Sequence, residues 1–162
     1  MGRRVEAAFL VRGLLETLDL ASFVKTTGGR GLHVVVPIVP HDDWAACLAF
    51  ARAFAEALVR RRPAMFTERF AKAGRHERIL VDYLRNNRTN TSIAAFSTRA
   101  KPEAPVSVPI AWSELSRLRT PPRFTALTMR RRLTHLKADP RKAYWRTKQT
   151  LPRAAVGALE NL

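Results

Sequence analysis

Three glycines within four positions, Gly28, Gly29 and Gly31, separate Lys25-Thr26-Thr27 from Leu32-His33-Val34-Val35-Val36. Glycine tolerates positive φ and close backbone approach, so successive N–H groups in such a loop can converge on an anion. Thr27 adds a hydroxyl and Arg30 a guanidinium whose forked donors match phosphate oxygens. His33 stands two residues past the last glycine, where an emerging strand can hold its ring. These types at this spacing predict a phosphate cradle suited to a triphosphate. The plain alternative is a hairpin whose glycines serve only the turn.

A second centre of chemistry is Asp82, at the end of the apolar run Ile79-Leu80-Val81. A carboxylate in such surroundings is costly to bury without a partner, so it points either to a cation or to an ion pair with a nearby arginine. The single cysteine, Cys47, excludes an internal disulfide, and its place on the apolar side of an expected helix predicts a buried structural thiol rather than a nucleophile.

The elements that must position these groups follow from hydrophobic period. Val5, Ala8, Val11, Leu15 and Leu18 recur at helical spacing and predict an amphipathic helix over residues 4–18. Residues 21–27 and 32–37 read as strands flanking the glycine loop, with His33 and Val35 on one face and Leu32, Val34 and Val36 on the other. Asp42 or Asp43 is suited to cap a helix that runs to about Arg61, with Trp44, Cys47, Leu48, Ala51, Phe54, Ala55 and Leu58 as its buried stripe and Pro63 as its stop. Gly74 is expected in a turn, residues 78–83 in a short strand, residues 85–90 in a polar loop, and residues 91–96 in another strand. Pro102, Pro105 and Pro109 predict an extended passage with few ladder bonds. Short helices are expected near residues 112–118, 125–133 and 141–150, with a frayed tail after Pro152. The expected class is α+β, one domain over residues 1–150 with a mixed or antiparallel sheet flanked by helices.

At 162 residues, 46% hydrophobic and 26% charged, the chain has ordinary globular composition. Its formal charge of +16 is not ordinary, and the stretch from Arg117 to Arg153 holds twelve basic residues against one acidic residue, Asp139. Such clustering predicts a polyanionic partner, nucleic acid first, bound in a salt-sensitive way. No apolar run approaches the roughly 20 residues of a membrane span, so a cytoplasmic, nucleoid-associated location and no membrane partner are expected.

The residues Ser22 through Pro37, with the glycine loop at their centre, resemble the second motif of the polymerase domain of bacterial DNA ligase D, a branch of the archaeo-eukaryotic primase-polymerase superfamily. Further stretches similar to that family follow in order: Val81-Asp82-Tyr83-Leu84-Arg85-Asn86, Thr91 to Phe96, Ser97-Thr98-Arg99-Ala100, and Ala104 to Ile110 with Trp112 to Leu115. The resemblance covers about Val5 to Gln149 and implies a partial primase-polymerase fold. It implies that Thr27, Gly28, Gly29, Arg30, Gly31, His33 and Arg99 face the triphosphate of an incoming nucleotide, Arg30 standing where the family usually has lysine. It also implies that Asp82 is a metal-binding catalytic carboxylate, and that Lys25, Arg85 and Asn86 contact template or nucleotide. The implied activity is addition of nucleotides, preferably ribonucleotides, at DNA double-strand break ends in non-homologous end joining. NTP or dNTP would be the substrate, Mn²⁺ or Mg²⁺ the cofactor, and a ligase and end-binding repair proteins further partners.

One departure weighs against turnover. The family carries an Asp-x-Asp pair upstream of the first helix, and neither Asp-x-Asp nor Asp-x-Glu occurs in these 162 residues. With one carboxylate where three are implied, this chain alone is expected to be inactive or weak as a nucleotidyltransferase. The alternative expectation is a non-catalytic remnant that keeps nucleotide and DNA binding. A core lacking upstream strands is also expected to leave a sheet edge open to self-association.

Overall fold

The structure, a computed structural model, describes every residue except Met1, Lys72, Gly74 and Arg119, so the turn expected at Gly74 lies outside the described residues. In chain order the elements are α1 (Arg3–Glu16), β1 (Phe23–Thr26), β2 (Leu32–Val35), α2 (Trp44–Arg61), β3 (Phe66–Thr67), β4 (Ile79–Leu80), β5 (Pro105–Val106), β6 (Pro109–Ile110), α3 (Trp112–Leu115), β7 (Phe124–Thr125), α4 (Ala126–Thr134) and α5 (Ala155–Glu160), with 3-10 turns at Leu84–Asn86 and Tyr144–Arg146. The class is α+β, as expected. The strands form three small sheets, ordered β2-β1-β6, β3-β4 and β5-β7, instead of one.

The chain divides into two compact units, Met1–Pro37 with Ile93–Thr147, and Ile38–Ser92 with Lys148–Leu162. In the first, β1 pairs antiparallel with β2 from Phe23 opposite Val35 to Thr26 opposite Leu32, and on its other side with β6, Val24 opposite Ile110. Alternation sends Val24, Leu32 and Val34 to one face, where they pack with Val5 and Ala8 of α1, Ile110 and Leu115. Phe9, Trp112 and Phe124 border this core, and the Trp112 indole N–H donates to the Ser22 carbonyl at 2.8 Å. The α1 stripe departs slightly from expectation: Leu14 is buried, while Val11 and Leu18 are only half-buried.

The proline-rich passage contributes more to the sheets than its composition predicts. Pro109 has no N–H, yet β6 pairs with β1, and the neighbouring Val108 N–H donates to the Thr26 hydroxyl at 2.8 Å. The strand expected over residues 91–96 is absent. Phe96 sits at φ 66°, which a continuous strand does not admit, and antiparallel pairing resumes only past it, with a bridge between Thr98 and Val106. The helix expected over residues 141–150 is reduced to the turn Tyr144–Arg146.

In the second unit, Asp43 caps α2 by accepting the Ala46 N–H at 2.7 Å. The buried stripe of α2 is Phe50, Ala53, Phe54, Ala57 and Leu58, with Ala55 beside it. This corrects the expected stripe in its first turns: Trp44 is 57% exposed, and Cys47, Leu48 and Ala51 are only half-buried. Burial pushes the Cys47 thiol up, and the Asp42 and Asp43 carboxylates push it further, which disfavours the thiolate. β3 and β4 form a parallel pair, Phe66 opposite Ile79 and Thr67 opposite Leu80, so the strand expected over residues 78–83 is two residues long, although the Val81 N–H still reaches the Thr67 carbonyl. In place of the frayed tail, α5 packs on α2 with Ala155 and Leu159 buried.

Candidate functional site

The glycine loop is held by its own hydroxyl. The Thr27 Oγ1 donates to the Gly31 carbonyl at 3.1 Å and accepts the Gly29 N–H at 3.2 Å, so in this conformation it is engaged inside the turn rather than offered to a ligand. Among the described residues, the N–H groups of Arg30 and Gly31 have no partner within the protein. Arg30 is exposed beside them. Two free amides and a guanidinium are thus exposed at one loop tip.

Beneath the loop lies Gly28, at φ 66°; a Cβ there would stand 3.0 Å from the Pro105 carbonyl oxygen and 3.2 Å from Cγ and Cδ of Arg99. Arg99 runs under the loop and its guanidinium donates to the Thr27 carbonyl at 3.2 Å. Its own N–H donates to the Pro105 carbonyl at 2.9 Å, fixing the segment in place. The structure thus joins Arg99, separated from the loop by some seventy residues of chain, to Thr27 and Gly28.

Lys25 and His33 are direct cross-strand partners on the sheet face opposite the aliphatic core. His33 is half-buried. The Lys25 ammonium donates to the Ile93 carbonyl and lies 3.3 Å from the Ser107 hydroxyl. Burial lowers the Lys25 pKa by disfavouring the charged form. Ser107 is fully buried and donates to the Thr26 carbonyl at 2.7 Å, while Thr26, also buried, holds Val108. This polar clasp locks residues 105–108 against β1 and so sets the floor of the loop. Sequence reasoning missed Ser107 and Thr26; the one signal was a polar residue between Val106 and Val108 in a run otherwise apolar.

Asp82, Arg85 and Asn86 belong to the second unit. Asp82 is an exposed residue, and its carboxylate pairs with the Arg85 Nε at 3.1 Å, while Arg85 Nη1 donates to the Thr91 carbonyl at 2.8 Å. The Asn86 amide donates to the Tyr83 carbonyl at 2.9 Å. Of the two partners the sequence left open for Asp82, a cation or a nearby arginine, the structure shows the arginine, in an ion pair near solvent. Among the described residues no group of three or more His, Cys, Asp or Glu side chains is disposed to hold a metal ion. A lone carboxylate already paired with arginine does not match the several oxygen donors that a site for two divalent cations requires, so no chemical step is derived through such ions.

The α+β frame is that of the solved polymerase domain of Mycobacterium tuberculosis ligase D, determined in complex with DNA: the two align with a TM-score of 0.77 and 27% sequence identity over 85% of this chain and 47% of that one. The family model for the LigD primase-polymerase domain matches residues 1–141, and the chain belongs to that family. It is 37% identical over 94% of its length to the multifunctional non-homologous end joining protein LigD of Pseudomonas aeruginosa, of which it covers 18%. It is 31% identical over 72% of its length to the protein of the same name from Mycolicibacterium smegmatis, of which it covers 15%. The chain therefore spans less than a fifth of these relatives. No helix among the described residues is long and apolar enough to cross a membrane.

Proposed function

We propose that this chain is a nucleotide- and DNA-binding part of a polymerase domain of the end-joining type, with weak or absent nucleotidyl transfer by the chain alone. The observation that carries the reading is the loop with Arg99 beneath it: Gly28 at positive φ, free amides at Arg30 and Gly31, and a second guanidinium on the Thr27 carbonyl. In this role the amides of residues 30 and 31 and the Arg30 side chain receive phosphate oxygens, and His33 donates to one of them in either protonation state. Lys25 supports the sheet under the loop. Within the second unit, Arg85 and Asn86 are the residues this reading assigns to template or nucleotide contact, and Asp82 pairs with Arg85.

The lack of an Asp-x-Asp pair in the sequence and of a three-ligand cluster among the described residues supports binding over turnover. Titration calorimetry with ribonucleoside triphosphates tests the cradle: Arg30→Ala and His33→Ala each weaken binding, and unchanged affinity in both refutes it. Primer extension on a DNA end with Mn²⁺ tests turnover, with Asp82→Ala as the control. Product above that control would establish the catalytic reading for the chain itself.

A further inference from the structure

Phe23 lies two residues before Lys25 on β1, so it shares the sheet face that carries Lys25 and His33. Tyr144 meets the Phe23 ring edge-on, with centroids 5.2 Å apart and planes at 73°, and Trp145 meets Tyr144 at 4.9 Å and 80°. The turn that presents them is closed by three backbone bonds, Tyr144 N–H to the Arg141 carbonyl at 2.8 Å, and the N–H groups of Arg146 and Thr147 to the Ala143 carbonyl at 3.1 and 3.0 Å. The Thr147 hydroxyl adds a fourth bond to the same carbonyl at 2.9 Å. This ladder of rings fixes the plane of the Trp145 indole while covering little of it, since the residue is 70% exposed. Along the chain Lys142 precedes and Arg146 follows Trp145, both exposed and, among the described residues, without a carboxylate partner.

A solvent-facing indole held by a ring ladder, with unpaired cations close to it in the chain, has a specific chemical complement. An unpaired nucleobase offers a flat π-face to the ring, and the phosphates on its two sides offer negative charge to the neighbouring cations. An acidic peptide would satisfy the cations but leave the indole face without a planar partner. We propose that Trp145 is a stacking platform for an unpaired base of a nucleic-acid strand, with Lys142 and Arg146 meeting the adjoining phosphates. The inference rests on the DNA-binding half of the function proposed above and names a surface separate from the glycine loop.

The test is fluorescence anisotropy of the full chain with a labelled single-stranded homothymidine oligonucleotide, repeated over a salt series. Trp145→Ala is expected to weaken binding about 5- to 100-fold, the effect of losing one stacked base, while Trp145→Phe keeps most of the affinity because it restores an aromatic face. Trp145→Leu retains an apolar contact for Tyr144 without a π-face, so it separates stacking from packing if the alanine variant melts early; it is expected to bind as weakly as alanine. Lys142→Gln with Arg146→Gln is expected to flatten the salt dependence by about 0.7 in logarithmic slope for each phosphate no longer neutralised. Equal binding by wild type, Trp145→Ala and Trp145→Leu would overturn the inference while leaving DNA binding intact. So would displacement of the strand by an acidic peptide of equal charge with the same dependence on Trp145. Failure of the wild type to bind the strand at all would remove the DNA-binding reading and this inference with it.

Discussion

Arg99 lies directly under Gly28: its Cγ and Cδ would stand 3.2 Å from a Cβ at that position, and its guanidinium donates to the Thr27 carbonyl at 3.2 Å. The contact makes residue 28 the tightest point of the loop. An alanine there meets Arg99 and the Pro105 carbonyl while holding φ at 66°. Gly28→Ala is expected to destabilise the chain by about 1–3 kcal/mol and to weaken triphosphate binding, as read by chemical denaturation and calorimetry. By contrast, Gly29→Ala places its Cβ 3.4 Å from the Thr27 hydroxyl, an ordinary contact, and is expected to cost less.

The Lys25 ammonium is half-buried beneath the same loop, and its pKa lies below the ordinary 10.5 because burial disfavours the charge. The unfolded chain therefore holds more protons than the folded one between the lowered value and 10.5. In that window stability rises with pH, as the folded form is relieved of a desolvated charge. Denaturation of wild type and Lys25→Met side by side should show the wild type gaining stability relative to the variant as pH climbs toward 10.5. A pH-independent difference would mean that the ammonium is as well solvated in the fold as in the unfolded chain.

Arg132 of α4 makes a bidentate pair with Glu114 of α3, Nη1 to Oε1 at 2.8 Å and Nη2 to Oε2 at 2.7 Å, and its guanidinium lies over the Phe124 ring at 5.2 Å. The Arg132 side chain is largely buried, so salt screens this pair less than the exposed pair of Arg123 with Glu103. A double-mutant cycle at Arg132 and Glu114 is expected to give a coupling of about 1–2 kcal/mol, against a value of about 0–1 kcal/mol at Arg123 and Glu103.

Leu159 is fully buried against α2, and Arg60 Nη2 donates to its carbonyl at 2.6 Å. Leu159→Ala is expected to cost about 2–5 kcal/mol by opening a cavity in the second unit. Thermal denaturation unaffected by this change, or by removal of residues 152–162, would mark these residues as a dispensable tail.

Periodicity and local chemistry were enough to locate α1, α2 with a cap at Asp42 or Asp43, the β1–β2 hairpin with the faces of β2, and α4, since each depends on residues a few positions apart. The same is true of the glycine loop and of the motifs that mark the family. What the chain order did not disclose is set by contacts between distant segments. The Arg99 side chain under Gly28, the Ser107 bond to the Thr26 carbonyl and the Lys25 contact with Ile93 join residues separated by some seventy to eighty positions. Two-residue strands such as β3, β4 and β6 exist only because a partner satisfies their backbone groups, so no local pattern announces them. Likewise Trp44 and Trp145 carry the same apolar signal as buried Phe66, and which rings meet solvent depends on where the covering elements end. Amphipathic sequence decides that a face is apolar; tertiary packing alone decides what, if anything, it buries.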